Sequence, residues 1–247
     1  MWTRRARLVE RAVLDALAPP FCAACGTPRH ALGPGATFAG GLCAVCAGRL
    51  EPFGLGASCA RCGGPIAAAG GPCPADHRAI TGIARRRAAW RYRGTAGALV
   101  RRHKFEACPA AYRILVRGMA NALGRAVRRP ERALLVPVPM HPEKRRSRGR
   151  DHAARLADGL ADRASAWALP GVLQRLRPTL PQADPRVPSR AVNVAGAFRV
   201  ARPSRVAGRE VVLIDDVSTS GATARECARA LREAGALRVV LVVAAVG

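Results

Sequence analysis

Apolar residues fall into short unbroken runs separated by stretches with helical spacing. Val211-Val212-Leu213-Ile214 and Val239 to Val246 are continuously apolar, as strands buried on both faces of a parallel sheet are. Leu134-Leu135-Val136-Pro137-Val138-Pro139 is a third run, broken by prolines. It predicts a buried strand whose carboxyl end enters a rigid loop. Further strands are predicted over Ala88 to Arg93, where Trp90 and Tyr92 alternate with arginines, at Val172-Leu173, over Ala197 to Val200, and over Glu210 to Ile214. Residues 95–104 and 109–123 read as helices. Asp151 is placed to cap a helix on which Leu156 and Leu160 share a face. Gly221 to Ala234 predicts another helix, with Gly235 as its stop. Near the start, Val9, Val13 and Leu17 recur at i, i+4 and predict a packing helix over 3–18 that Pro19-Pro20 ends. Thr179 to Asn193 reads as irregular, with Pro181, Pro185 and Pro188.

Composition bounds this picture. A chain of 247 residues suits one medium domain plus a small module. Hydrophobic residues at 49% argue against global disorder, and aromatics at 4% argue against an RNA-recognition sheet of stacking rings. The longest apolar run is eight residues, Val239 to Val246, against the roughly 20 that a membrane helix needs. Glu10, Arg11 and Asp15 interrupt any apolar signal segment. The expectation is a soluble, cytoplasmic protein with no membrane span. The net charge of +25 has two readings. One is a polyanion partner, either nucleic acid or a phosphorylated substrate. The other is compositional bias, because Lys104 and Lys144 are the only lysines and Ala and Gly abound.

Residues 21–77 change character. Gly and Pro are frequent, and seven of the nine cysteines fall here. Cys22-x-x-Cys25 and Cys43-x-x-Cys46 are separated by 17 residues, the spacing of a four-cysteine zinc site. So small a segment has little core of its own, and metal binding, worth roughly 10–16 kcal/mol in zinc peptides, would supply its folding energy. A second set, Cys59-x-x-Cys62 and Cys73, lacks a fourth thiol. Asp76 or His77 could complete it, with His77 the better zinc donor, or this half could be metal-free and held by packing. Cys108 is isolated and reads as a small buried or half-buried residue.

The run ending at Ile214 leads straight into Asp215-Asp216 and then Val217-Ser218-Thr219-Ser220-Gly221-Ala222-Thr223. A buried parallel strand, a hydroxyl-rich turn with one glycine, and a helix N-terminus form a ligand site in open α/β sheets. Adjacent carboxylates repel and raise each other's pKa. A sugar diol, often with Mg²⁺ nearby, relieves that repulsion. The backbone amides and hydroxyls of Ser218 to Thr223 suit a phosphate. A phosphorylated sugar therefore fits. Lys144-Arg145-Arg146-Ser147-Arg148-Gly149-Arg150, just after the proline-broken strand, is dense in positive charge. It reads as a solvated loop or as a mobile one facing an anion such as a pyrophosphate leaving group. Lys104, in His103-Lys104-Phe105, reads by default as a surface lysine, although its rarity marks it as a candidate.

Val212 to Thr223 closely resembles the 5-phosphoribosyl-1-pyrophosphate (PRPP) motif of type I phosphoribosyltransferases. The wider pattern resembles the ComF family, competence-associated phosphoribosyltransferase-like proteins. It rests on the paired Cys-x-x-Cys modules, His103-Lys104-Phe105, Val136-Pro137-Val138-Pro139-Met140-His141-Pro142, Arg148-Gly149, Gln182, Arg190-x-x-Asn193 and Gly196-Ala197-Phe198. The resemblance implies an α/β fold of the type I phosphoribosyltransferase kind, a mainly parallel sheet flanked by helices, preceded by a Cys-rich zinc-ribbon module. The expected division is an N-terminal helix over 1–20, a double zinc-ribbon-like module over 21–82, and a phosphoribosyltransferase-like domain over 83–247. It implies that Asp215 and Asp216 hold the ribose hydroxyls and that Ser218, Thr219, Ser220, Gly221, Ala222 and Thr223 hold the 5′-phosphate. Val138-Pro139 would be the pyrophosphate loop, and Lys144, Arg145 and Arg148 the flap, with Lys104 and Arg190 as further candidates. Zinc, and magnesium accompanying PRPP, are the implied cofactors. The chain departs from the family at Arg150, Asp151 and His152, where an aromatic, Asn and Gln are usual, and at the missing last cysteine of the second module.

Three functions follow as expectations. The first is a PRPP-binding protein acting in DNA uptake during natural transformation, with or without transfer to an unnamed acceptor. The second is a non-catalytic factor that binds single-stranded DNA or a competence helicase. The third is a nucleobase-salvage phosphoribosyltransferase.

Overall fold

The protein is described by a computed structural model covering residues 21–32, 38–149, 151–178 and 190–247. The helix predicted over 3–18 and most of the proline-rich stretch after Thr179 lie outside these residues. A two-stranded ribbon, β1 (Phe38–Ala39) and β2 (Leu42–Cys43), and the short helix α1 (Ala44–Gly48) belong to the Cys-rich segment. They are followed by β3 (Arg85–Arg91), α2 (Gly94–Phe105), α3 (Pro109–Ala126), β4 (Leu134–Pro137), α4 (Pro142–Arg148), α5 (His152–Ala164), β5 (Trp167–Ala168) and β6 (Leu173–Arg175). The chain closes with α6 (Arg190–Val194), β7 (Phe198–Val200), β8 (Glu210–Ser218), α7 (Ala222–Glu233) and β9 (Arg238–Val246).

The apolar runs pair as a five-stranded sheet in the order β3-β9-β8-β4-β5, parallel throughout. Side chains alternate across it, as the pleat requires. Val212, Ile214, Val240 and Val242 pack on one face with Leu99 of α2, Leu115, Met119 and Leu123 of α3, and Leu156 and Leu160 of α5. Val211, Leu213, Val239 and Leu241 pack on the other with Cys227, Ala228 and Leu231 of α7. The result is the expected architecture of a parallel sheet flanked by helices and preceded by a Cys-rich module.

Three elements differ from expectation. Leu173 pairs with Val200 in a separate antiparallel ribbon, β6–β7, and not in the main sheet. The basic segment after β4 is helical: Pro142 sits in its first turn, and Gly149 ends it in the left-handed region at φ 67° with its amide bonded to Arg145 O at 2.8 Å. Lysine and arginine are good helix formers, proline fits the first turn, and glycine stops the helix. The strand carrying the acid pair runs on to Ser218, so Asp215 and Asp216 lie within β8.

The Cys-rich segment covers the free edge of β3. Arg86 N donates to Arg61 O (2.7 Å), Phe53 N to Ala89 O (3.0 Å) and Arg91 N to Glu51 O (3.0 Å). Arg102 Nη1 donates to Cys22 O at 3.1 Å, and its guanidinium lies over the Phe21 ring. An unpaired edge strand is a template for aggregation, and covering it removes that hazard. No helix among the described residues is long and apolar enough to cross a membrane.

Candidate functional site

Connectivity fixes where a ligand belongs. From β4 the chain crosses through α5 to β5 on one side, and from β8 through α7 to β9 on the other. The sheet therefore has a topological switch point between β4 and β8, and ligands of open α/β sheets bind outside the carboxyl ends there. Val138, Lys104, Asp215, Asp216 and the turn from Ser218 lie at this end of the sheet. Val138 N donates to Ile214 O at 2.8 Å, holding the Val138-Pro139 turn beside β8. Asp151 fixes the other end of that turn. Its Oδ2 accepts from Met140 N (3.3 Å), and its Oδ1 accepts from Ala154 N (3.1 Å) as the cap of α5.

Asp216 is buried and points to the α2 face, where Lys104 Nζ lies 2.8 Å from its Oδ1. The default surface reading of Lys104 is therefore corrected: the last turn of α2 delivers it to the strand end, and its side chain is 26% exposed. Burial works against the ammonium, but the charge and hydrogen bond of Asp216 outweigh it and raise its pKa above the usual lysine range. Asp215 follows the pleat to the α7 face, near enough to Cys227 and Arg175 to influence both. Burial first, then the Asp216 charge, push its carboxyl up to about 8, against the opposing pull of Lys104.

Beyond the pair, Ser218 is buried and its Oγ has no hydrogen-bond partner among the described residues. A buried hydroxyl left unsatisfied costs about 1–3 kcal/mol, so a group that accepts from it or donates to it would be favoured. Thr219 and Ser220 are exposed at the turn, and Gly221 adopts φ 70° to start α7. Arg225 Nη1 closes that turn on Ser220 O at 2.9 Å. Ala222 and Thr223 open the helix, whose N-cap Gly221 has no side chain to cap its first amides. Under Lys104, His103 is buried and stacked on Tyr112 with ring centroids 5.7 Å apart, and burial depresses its pKa. Lys144, Arg145 and Arg148 lie along α4, and Arg190 begins α6. In the sequence Lys104 stands out by its rarity and by the His103-Lys104-Phe105 resemblance. Its carboxylate partner lies far along the chain and leaves no local signal.

The cysteines form two compact clusters. In Cys22, Cys25, Cys43 and Cys46, and again in Cys59, Cys62, Cys73 and His77, the four donor atoms lie within 4.8 Å of one another. Tetrahedral zinc with Zn–S of about 2.3 Å places sulfurs roughly 3.8 Å apart. The Cys25–Cys43 and Cys62–Cys73 sulfurs are 4.0 and 3.6 Å apart, and Cys59 Sγ lies 3.5 Å from His77 Nε2. Backbone amides support the thiolates, with Cys43 N donating to Cys22 Sγ (3.4 Å) and Gly64 N to Cys62 Sγ (3.3 Å). Both donor sets fit zinc, and His77 is the fourth donor of the second. None of the described cysteines is in a disulfide.

No curated protein matches the chain. Residues 13–76 match the family described as the double zinc ribbon domain. The protein thus carries an N-terminal double zinc ribbon followed by a parallel α/β domain.

Proposed function

We propose that the protein is phosphoribosyltransferase-like and binds PRPP, or a related ribose 5-phosphate, in the crevice between β4 and β8. The observation that carries this reading is the Lys104–Asp216 pair at 2.8 Å, part-buried at the topological switch point near the orphaned Ser218 hydroxyl. On this reading Asp215 and Asp216 take the ribose hydroxyls, and Ser218 to Thr223 take the 5′-phosphate. Val138-Pro139 would be the pyrophosphate loop and the segment carrying Lys144, Arg145 and Arg148 the flap, with Arg190 a further candidate. Mg²⁺ accompanying PRPP would neutralise part of the pyrophosphate charge. In a transfer reaction the bond from the anomeric carbon to pyrophosphate breaks as the bond to the acceptor forms, through an oxocarbenium-like state. Such chemistry asks for positioning and leaving-group stabilisation more than for a protein nucleophile. On this reading the unit boundary is 82/83, just ahead of β3, and the role in DNA uptake rests on the resemblance to the ComF family alone.

Calorimetry with PRPP and Mg²⁺ tests the reading. Wild type should bind, and Asp216→Asn should lose at least about tenfold in affinity, or about 1.4 kcal/mol. Absence of heat from wild type would sink it. The charge of +25 favours a second reading, a non-catalytic module for single-stranded DNA or a helicase. That reading expects steeply salt-dependent oligonucleotide binding unaffected by Asp216→Asn.

A further inference from the structure

At the opposite end of the sheet, the amino ends of β3, β4, β8 and β9 border a cleft of about 780 Å³. Six arginines line it: Arg85, Arg128, Arg129, Arg132, Arg209 and Arg238. Among the described residues Glu210 is the one carboxylate lining it, and it is held by Arg238 at 3.2 Å. Arg85 Nη1 donates to Ala126 O at 3.1 Å, occupying a carbonyl at the carboxyl end of α3 that would otherwise repel an anion. Arg128, Arg129, Arg132 and Arg209 are exposed and have no acidic partner among the described residues. Gathering so many like charges around one concavity is unfavourable unless an anion occupies it.

We propose that this cleft binds a compact anion carrying three or more phosphoryl groups. Guanidinium forks match phosphate oxygens in bidentate fashion. No aromatic ring among the described residues lines the cleft, so it is suited to phosphates and not to stacked bases. Its volume is that of a single small-molecule site and not of a track for a polymer. β3 and β4 are three strand spacings apart in the sheet, roughly 14 Å. Arginines spread over that width match the several phosphoryl groups of a phosphate chain better than they match one phosphate. The site is remote from the carboxyl-end crevice and does not depend on the PRPP reading.

The test uses full-length zinc-loaded protein titrated calorimetrically with inorganic phosphate, tripolyphosphate, a nucleoside triphosphate and a thymidine oligonucleotide at about 0.15 M salt. The cleft variant is R129S/R132S/R209S. A charge-matched control, R49S/R113S/R117S, alters three exposed arginines that do not line the cleft. Tripolyphosphate should bind at least about tenfold more tightly than phosphate. Its affinity should fall at least about tenfold in the cleft variant and less than about threefold in the control. Equal affinity for tripolyphosphate and the nucleoside triphosphate identifies the phosphate chain alone as the ligand, and a preference for the nucleotide adds contacts from its nucleoside half. Equal losses in the two variants, unchanged tripolyphosphate binding in the cleft variant, or loss of oligonucleotide binding alone would overturn the proposal.

Discussion

Asp215 and Asp216 are neighbours in the chain but live on opposite faces of β8. Asp216 has a cation within hydrogen-bond reach, whereas Asp215 has burial and a like charge. The raised pKa of Asp215 means that the folded protein keeps a proton that the unfolded chain releases above about pH 4. The stability this group contributes is fully present below that pH and is lost as pH rises toward about 8. Asp215→Asn removes the titration, so its Tm should fall less than that of wild type across this window, and parallel Tm profiles would refute the assignment. Lys104→Met leaves Asp216 buried without its counter-charge. Removing one partner of a buried pair costs about 3–5 kcal/mol, and because Lys104 keeps partial solvent contact the lower end is expected in urea denaturation. The acid pair and its hydroxyl turn were legible because their order along the chain is local. Which face each acid takes was not, because that depends on β8 continuing to Ser218.

Elements were legible where a long pattern specifies them and illegible where a neighbour does. The apolar run of β9 and the Schellman end of α7, where Ala236 N bonds to Leu231 O at 3.0 Å and Gly235 N to Arg232 O at 2.9 Å, follow directly from Val239 to Val246 and Gly235. β5 has two residues and an exposed Trp167, so only its pairing with β4 defines it. The charge density of the basic segment reads as a loop, whereas its proline start and glycine stop are the local helix signals that prevail. The packing of α3 on β3 rests on one small residue: a methyl group added at Gly118 would strike the Trp90 ring. Gly118→Ala should destabilise the fold by about 1–3 kcal/mol despite its better helix propensity. A midpoint in urea equal to that of wild type would contradict this packing. Asp151→Ala should cost about 1 kcal/mol through loss of the α5 cap. If the crevice takes PRPP as proposed, the same change should weaken that binding, because Asp151 holds Met140 as well.

Across the whole molecule, the two ends of the sheet and its open edge carry different chemistry: an acid pair, an arginine cleft and a double metal ribbon. Both donor clusters fit zinc, so metal analysis of purified protein should return two zinc ions per chain. Mutating His77 to Ala should release one of them and leave the Cys22–Cys46 site loaded. Retention of both ions in that variant would exclude His77 as a ligand.

Because the Cys-rich segment supplies the hydrogen-bond partners of the outer edge of β3, its metal controls more than the ribbon's own shape. Residues 21–82 precede β3 in synthesis, so the edge of the sheet emerges with its cover already made wherever zinc is available. Without zinc the same strand is laid down bare. The chain should then be soluble or sticky according to metal supply. Chelation of the folded protein should raise light scattering before the sheet itself melts, and restored zinc should reverse the rise if added before the edges have paired.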